Sequence, residues 1–224
     1  MCFSASASFT GAVVLLVAGA AAQGLAKRPA ERVFAAIPLL FAAQQATEGL
    51  IWLSFGWGEP AITAPLAQLY SFFSHVLWPV FVPIAAWLIE PATGRRRTLA
   101  GFTIAGLVVG VFLLYGMVAN PIEARPVGGH IEYISPHFYV VVVMLLYLAA
   151  TTVSLLVTSL PLVRLFGALA LGAFVASYVA YARWFISVWC FFAALLSVVV
   201  CLHLAAARGR LPGFAAGGAC RPLA

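Results

Sequence analysis

Seven apolar stretches follow one another with little polar chain between them, at residues 10–26, 33–55, 65–89, 99–119, 138–158, 161–182 and 184–207. A membrane span needs about 20 apolar residues, within a range of about 17 to 25. Backbone groups cannot stay unpaired in lipid, so each stretch must be a helix. The fold expected is therefore all-α: a polytopic membrane protein of seven transmembrane helices in one domain, residues 1–207. Composition agrees, with 64% of the 224 residues hydrophobic and 8% charged. The mean hydropathy of +1.08 suits several apolar spans better than one soluble core. The first charged residue is Lys27, so the opening stretch lacks the basic segment of a cleaved signal peptide and reads as a retained helix. Residues 208–224, rich in Gly, Ala and Pro without periodicity, read as a disordered cytoplasmic tail.

The basic residues set an orientation. Lys27, Arg28 and Arg32 follow the first span, Arg95, Arg96 and Arg97 the third, Arg164 the fifth, and Arg208, Arg210 and Arg221 the last. Only Arg125 and Arg183 fall on the opposite side, so the positive-inside bias puts the amino terminus outside and the carboxyl terminus in the cytoplasm of a plasma (inner) membrane. The net charge of +6 is accounted for by these clusters, and nucleic acid is not a partner it calls for; membrane lipids are. Cys2, Cys190, Cys201 and Cys220 show no CxxC spacing, so no metal knuckle or redox motif is read from their order. Nothing in the chain specifies an oligomeric state.

One span breaks the apolar pattern. The stretch "AAQQATEGLIW", residues 42–52, sets Gln44, Glu48 and Trp52 four apart on one helix face, with Gln45 beside them. At about 1.5 Å per residue, Glu48 lies about 12 Å below the outer boundary. In the next span Ser71, Ser74 and His75 cluster by the same spacings, with His75 about 15 Å deep. An ionised group at mid-bilayer costs about 2.5–3.5 kcal/mol even on lenient scales, so an acid and a histidine at one depth need compensation. The candidates are a mutual hydrogen bond, a water-filled cavity or a metal ion.

The outer loop 121–137 reads "HIEYISPH" from His130 and supplies His130, Glu132 and His137. His130 and Glu132 are expected to be solvated loop residues. His137, after Pro136, is placed to lean over the cavity mouth. The opening "MCFSASASF" brings Cys2 to the same side, either as a thiolate ligand or as the disulfide partner of Cys190. Arg183 is set to pair with Glu59, Glu123 or Glu132. Trp78, Pro79 and Pro83 imply a kinked third span.

At "MCFSASASF", "IPLLFAAQQATEGLIW" (37–52) and "SFFSH" (71–75), the chain resembles an uncharacterised family of bacterial multi-helix membrane proteins that begin MCFSA. That resemblance covers most of the chain and implies no mechanism. A weaker likeness is to the seven-helix hydrolase superfamily of alkaline ceramidases and adiponectin receptors, through helix number and the pair Ser71 and His75. In that superfamily such a pair belongs to an intramembrane zinc site completed by an aspartate and two late histidines. This chain has no aspartate and offers only His203 late, so the carry-over stops at Ser71 and His75.

Two functions follow. The first is a metal-dependent enzyme in which zinc, or another divalent transition metal, is held by His75, Glu48 and His137, with Cys2 as a further ligand. The metal would activate water against a lipid-derived or amphipathic substrate from the outer leaflet. Glu48, His75 and Ser71 would be catalytic, and Gln44, Gln45 and Ser74 would orient the cofactor's ligands. The second is a non-catalytic receptor, sensor or small transporter in which Glu48 and His75 bind a ligand or exchange a proton.

Overall fold

A computed structural model describes residues 4–209. Helices form at every apolar stretch: α1 (Ala5–Leu25), α2 (Pro29–Ala35), α3 (Ile37–Trp57), α4 (Pro60–Ser71), α5 (Trp78–Ile89), α6 (Thr93–Ala119), α7 (Val141–Leu148), α8 (Ser154–Val157), α9 (Pro161–Tyr181), α10 (Phe185–Leu196) and α11 (Val198–Ala207). Wider π-turns, Phe72–Leu77 and Ala149–Val153, join α4 to α5 and α7 to α8. Among the described residues five helical stretches are long and apolar enough to cross a membrane, and Val141–Val157 is a shorter apolar helix. Pro161–Ala207 is one apolar run by composition, yet a short 3₁₀ turn at Ala182–Trp184 folds it back on itself. Phe174 then meets Phe185 and Trp189 edge-on, at 4.8 and 5.4 Å between ring centres.

Prolines shape the α4–α5 rod. The Trp78 N–H donates to the carbonyl of Phe73, five residues back, which is the π pattern. Pro79 follows and has no N–H to continue that ladder, so the Ser74 carbonyl lacks a helical donor. The Tyr147 hydroxyl, arriving from α7, donates to it at 2.5 Å. Four residues on, Pro83 orphans the Pro79 carbonyl in the same way. There α6 presents Gly106, where a Cβ would lie 1.9 Å from that carbonyl oxygen, so only glycine permits the approach. The kink expected from these prolines is thus a π-turn whose loose carbonyls are covered by neighbouring helices.

The bundle has two unlike ends. At the basic end Glu31 accepts from the Lys27 and Arg28 backbone N–H groups at 2.9 and 3.2 Å and pairs with Arg28 and Arg208. Glu90 accepts from the Ala92 and Ser159 N–H groups and the Ser159 hydroxyl, at 2.9, 2.6 and 2.7 Å. Arg95 donates to the Val157 and Thr158 carbonyls. These contacts tie the α1–α2, α5–α6 and α8–α9 corners with charge-assisted bonds.

At the other end the expected loop 121–137 contains an antiparallel hairpin, β1 (Glu123–Val127) and β2 (His130–Ile134). Gly128 and Gly129, at φ 59° and 76°, supply the left-handed two-residue turn that strand twist favours. The hairpin rests on α4, where Gln68 Nε2 donates to the Ile122 carbonyl at 3.3 Å and Tyr70 stacks on Tyr133 at 4.5 Å. It also rests on the α9–α10 turn. There Arg183 forks onto Glu132, at 2.8 and 3.1 Å, and Trp184 stacks on His130 at 4.8 Å. Of the three acids open to Arg183, Glu132 is the one it takes. The expectation of a solvated His130 is corrected: pinned under Trp184, its side chain is buried.

Candidate functional site

The π-turn carries Ser74 and His75 side by side into the interior, and both are buried. Their partner comes from the hairpin. Ser135, the residue after β2, places its Oγ 2.8 Å from His75 Nε2 and 3.3 Å from His137 Nε2. On the other side of the ring, His75 Nδ1 lies 2.8 Å from Ser74 Oγ. Ser74 Oγ in turn reaches the Ser71 carbonyl at 3.3 Å.

One fixed acceptor sets the proton order along this chain. A carbonyl can only accept, so Ser74 gives its single proton to the Ser71 carbonyl and must accept from His75 Nδ1–H. That leaves Nε2 of His75 as the basic nitrogen, facing the Ser135 hydroxyl as donor. Ser135 then accepts from His137 Nε2–H, and His137 Nδ1 is buried without a partner among the described residues. The arrangement is a hydroxyl, a base and a group that orients the base, which is the geometry of an activated nucleophile. Phe138 covers the His75 ring at 4.8 Å, and burial holds the His137 imidazole below its ordinary range. Ser135 itself is only 2% exposed, beneath the hairpin and the α9–α10 turn.

Glu48 has other company. Its Oε1 accepts from the Ser187 hydroxyl on α10 at 2.6 Å, and the Cys190 thiol lies close by, among Gln44, Glu48 and Tyr70. Gln44 Oε1 accepts from Trp78 Nε1 at 2.7 Å. Gln45 faces α1 instead: its Oε1 is 3.7 Å from where a Cβ on Gly11 would stand, and neither of its amide atoms has a hydrogen-bond partner among the described residues. The two glutamines therefore serve different surroundings despite their adjacency. Ser71 contributes its carbonyl, while its hydroxyl has no hydrogen-bond partner among the described residues.

So His75, Ser74 and His137 come together with Ser135, while Glu48 and Gln44 gather with Ser187 and Cys190. Among the described residues no three His, Cys, Asp or Glu side chains are grouped to hold a metal ion. Cys2 lies outside the described residues, and Cys190 is a free, buried thiol. Sequence reasoning passed over Ser135, since one serine in a loop carries no periodic signal. It also passed over Gly116 on α6, where a Cβ would fall 2.7 Å from His137 Cδ2, so glycine makes the room this ring occupies.

Residues 1–216 match the model of a family described as a family of unknown function, DUF6629. The chain belongs to that family. This agrees with the uncharacterised family expected from the opening residues. No curated protein and no solved structure matches the chain. Membership brings no activity with it, and the reading of the site rests on its geometry.

Proposed function

We propose that this protein is a membrane-embedded hydrolase or acyl transferase acting on a lipid-derived, amphipathic ester or amide. Its site would lie in the outer half of a seven-span bundle whose amino terminus is outside. The observation that carries this reading is the Ser135 hydroxyl held 2.8 Å from His75 Nε2, with Nδ1 of the same ring fixed by Ser74. Ser135 Oγ adds to the substrate carbonyl carbon while its proton passes to His75 Nε2. The imidazolium then returns that proton to the departing alcohol or amine, leaving an acyl-serine. Water, or an acceptor hydroxyl, repeats the sequence in the second half-reaction, and His137 Nε2–H steadies Ser135 between the steps. The orientation is supported by the basic end, where Arg28, Arg95 and Arg208 lie opposite the hairpin.

Zinc is less well served by this donor set. His75 and His137 aim their Nε2 atoms at one point, but Glu48 is engaged by Ser187 and no third described ligand joins them. The non-catalytic reading has its own support in the amide of Gln45 and the buried hydroxyl of Ser8, which have no hydrogen-bond partner among the described residues and are suited to holding a ligand between α1 and α3.

An alkyl fluorophosphonate, which esterifies activated serines, tests the proposal on the purified protein in nanodiscs. Peptide mass spectrometry is expected to find the label on Ser135, absent in Ser135→Ala and slowed at least 100-fold in His75→Ala. Well-folded wild-type protein that takes no label at Ser135 would sink the acyl-serine reading. Stoichiometric zinc that disappears in His75→Ala and His137→Ala would replace it with the metal enzyme.

A further inference from the structure

The turn from α3 to α4 opens a cleft of about 830 Å³ against the first strand of the hairpin. Gly58 makes that turn possible: its φ of 66° caps α3 in the left-handed region, and Pro60 starts α4 two residues later. The volume lies within the roughly 300–1,000 Å³ of small-molecule sites. Phe55, Pro65 and Ile122 are among its apolar lining residues, and the exposed Glu59, Glu123 and Arg125 give it a charged rim.

The charges at the rim do not cancel. Arg125 is bonded to Glu123 at 2.6 Å, while Glu59 has no ion-pair partner among the described residues, so the cleft keeps one net negative charge. Hydrogen-bonding capacity also converges there. The Ser54 and Thr63 hydroxyls are bonded to each other at 2.8 Å, and Gln68 has only its amide nitrogen committed, to Ile122. Exposed Trp57 precedes the lining residue Gly58, and an exposed aromatic side chain there suits a membrane–water interface. An apolar tail can therefore enter along the α3–α4 wall while its head stays at the polar rim.

We infer that this cleft binds a cationic amphiphile: a primary ammonium group that pairs with Glu59, attached to an aliphatic chain that lies against Phe55 and Pro65. An alcohol of the same length lacks the charge, and a carboxylate meets repulsion from two acids with one arginine to offset them. The charge balance also ranks the neighbours. Removing Arg125 releases Glu123 to reinforce Glu59 and tightens binding, whereas removing the Glu123 charge leaves Arg125 free to repel the ammonium and weakens it. The site goes beyond the Ser135 reading and stands apart from it, because none of its groups belongs to the His75 chain.

Calorimetry with octylamine, octanol and octanoate, against the full-length protein in phosphatidylcholine nanodiscs and against empty nanodiscs, tests it. Octylamine is expected to bind at least tenfold tighter than either of the others. Glu59→Gln should reduce its affinity to that of octanol, Glu123→Gln should weaken it severalfold, and Arg125→Ala should strengthen it. Glu59 is exposed, so the fold is expected to survive the change, and an unchanged melting temperature verifies that. A short-chain phosphatidylethanolamine titrated alongside identifies the source: binding that is lost in Glu59→Gln assigns the ammonium to a lipid headgroup, and binding of octylamine alone assigns it to a free amine. Equal affinity for all three octyl compounds, or octylamine binding untouched by Glu59→Gln, overturns the inference. Ser135→Ala should bind octylamine as the wild type does, so a failure of labelling at Ser135 and a failure of binding here are separate results.

Discussion

The basic end and the hairpin end of this bundle treat buried polar groups in opposite ways. At the basic end Glu31 and Glu90 are buried with their carboxylate oxygens bonded to backbone N–H groups, hydroxyls or guanidinium groups across helix corners. At the hairpin end and in the half of the bundle beneath it, Ser8, Gln45, Trp52, Ser71, His137 and Trp184 each keep a buried polar atom with no hydrogen-bond partner among the described residues. An unmade buried hydrogen bond costs about 1–3 kcal/mol. One end of the molecule is therefore built to hold its corners, and the other carries unspent bonding capacity, part of it beside the His75–His137 pair and part between α1 and α3.

Substitutions can break that contrast. The largest effect is expected for Glu90→Ala at the basic end: two backbone N–H groups, of Ala92 and Ser159, lose their acceptor, at a cost of about 3 kcal/mol. Thermal unfolding in detergent would register it, while fluorophosphonate labelling of the remaining folded protein should be unchanged. A smaller loss, about 1–2 kcal/mol, is expected for Gly116→Ala, since the added methyl meets the His137 ring at 2.7 Å and must displace it. Here labelling at Ser135 should fall more steeply than stability. If labelling instead tracks the melting temperature in both variants, the two ends are not functionally distinct.

The smallest effect is a pH dependence. Burial lowers the folded-state affinity of His130 and His137 for a proton below the unfolded value of 6.5. Below that pH the unfolded chain takes up protons that the folded chain refuses, so stability is full above pH 6.5 and declines as acid is added. Melting temperatures measured from pH 8 to pH 5 should fall across that window, and His130→Gln should flatten the curve. A rise in stability on acidification would mean that the hairpin end holds charged, not neutral, histidines.

How far the sequence carried this account differs from element to element. The apolar stretches had to become helices, because an apolar segment of that length leaves its backbone no other way to satisfy its hydrogen bonds in lipid. Pro79 and Pro83 announce a distortion in the third span, and the adjacent Gly128 and Gly129 carry the hairpin turn inside what the sequence presents as a loop. His75 and His137, both candidates by sequence, stand with their rings 6.1 Å apart.

What the chain alone could not decide is which buried groups meet across the bundle. Helical periodicity fixes the face of a helix a residue occupies, and says nothing about which other helix that face will touch. Glu48 and His75 matched in depth, yet Ser187 reached Glu48 from α10 while Ser135, distant in sequence and without any repeating pattern around it, reached His75. Pairing of that kind is a property of helix packing and of where one short hairpin settles. The sequence by itself therefore determined the helices and the rarity of their polar groups; only the tertiary structure determined the partners, because partner choice depends on contacts between segments that no local rule relates.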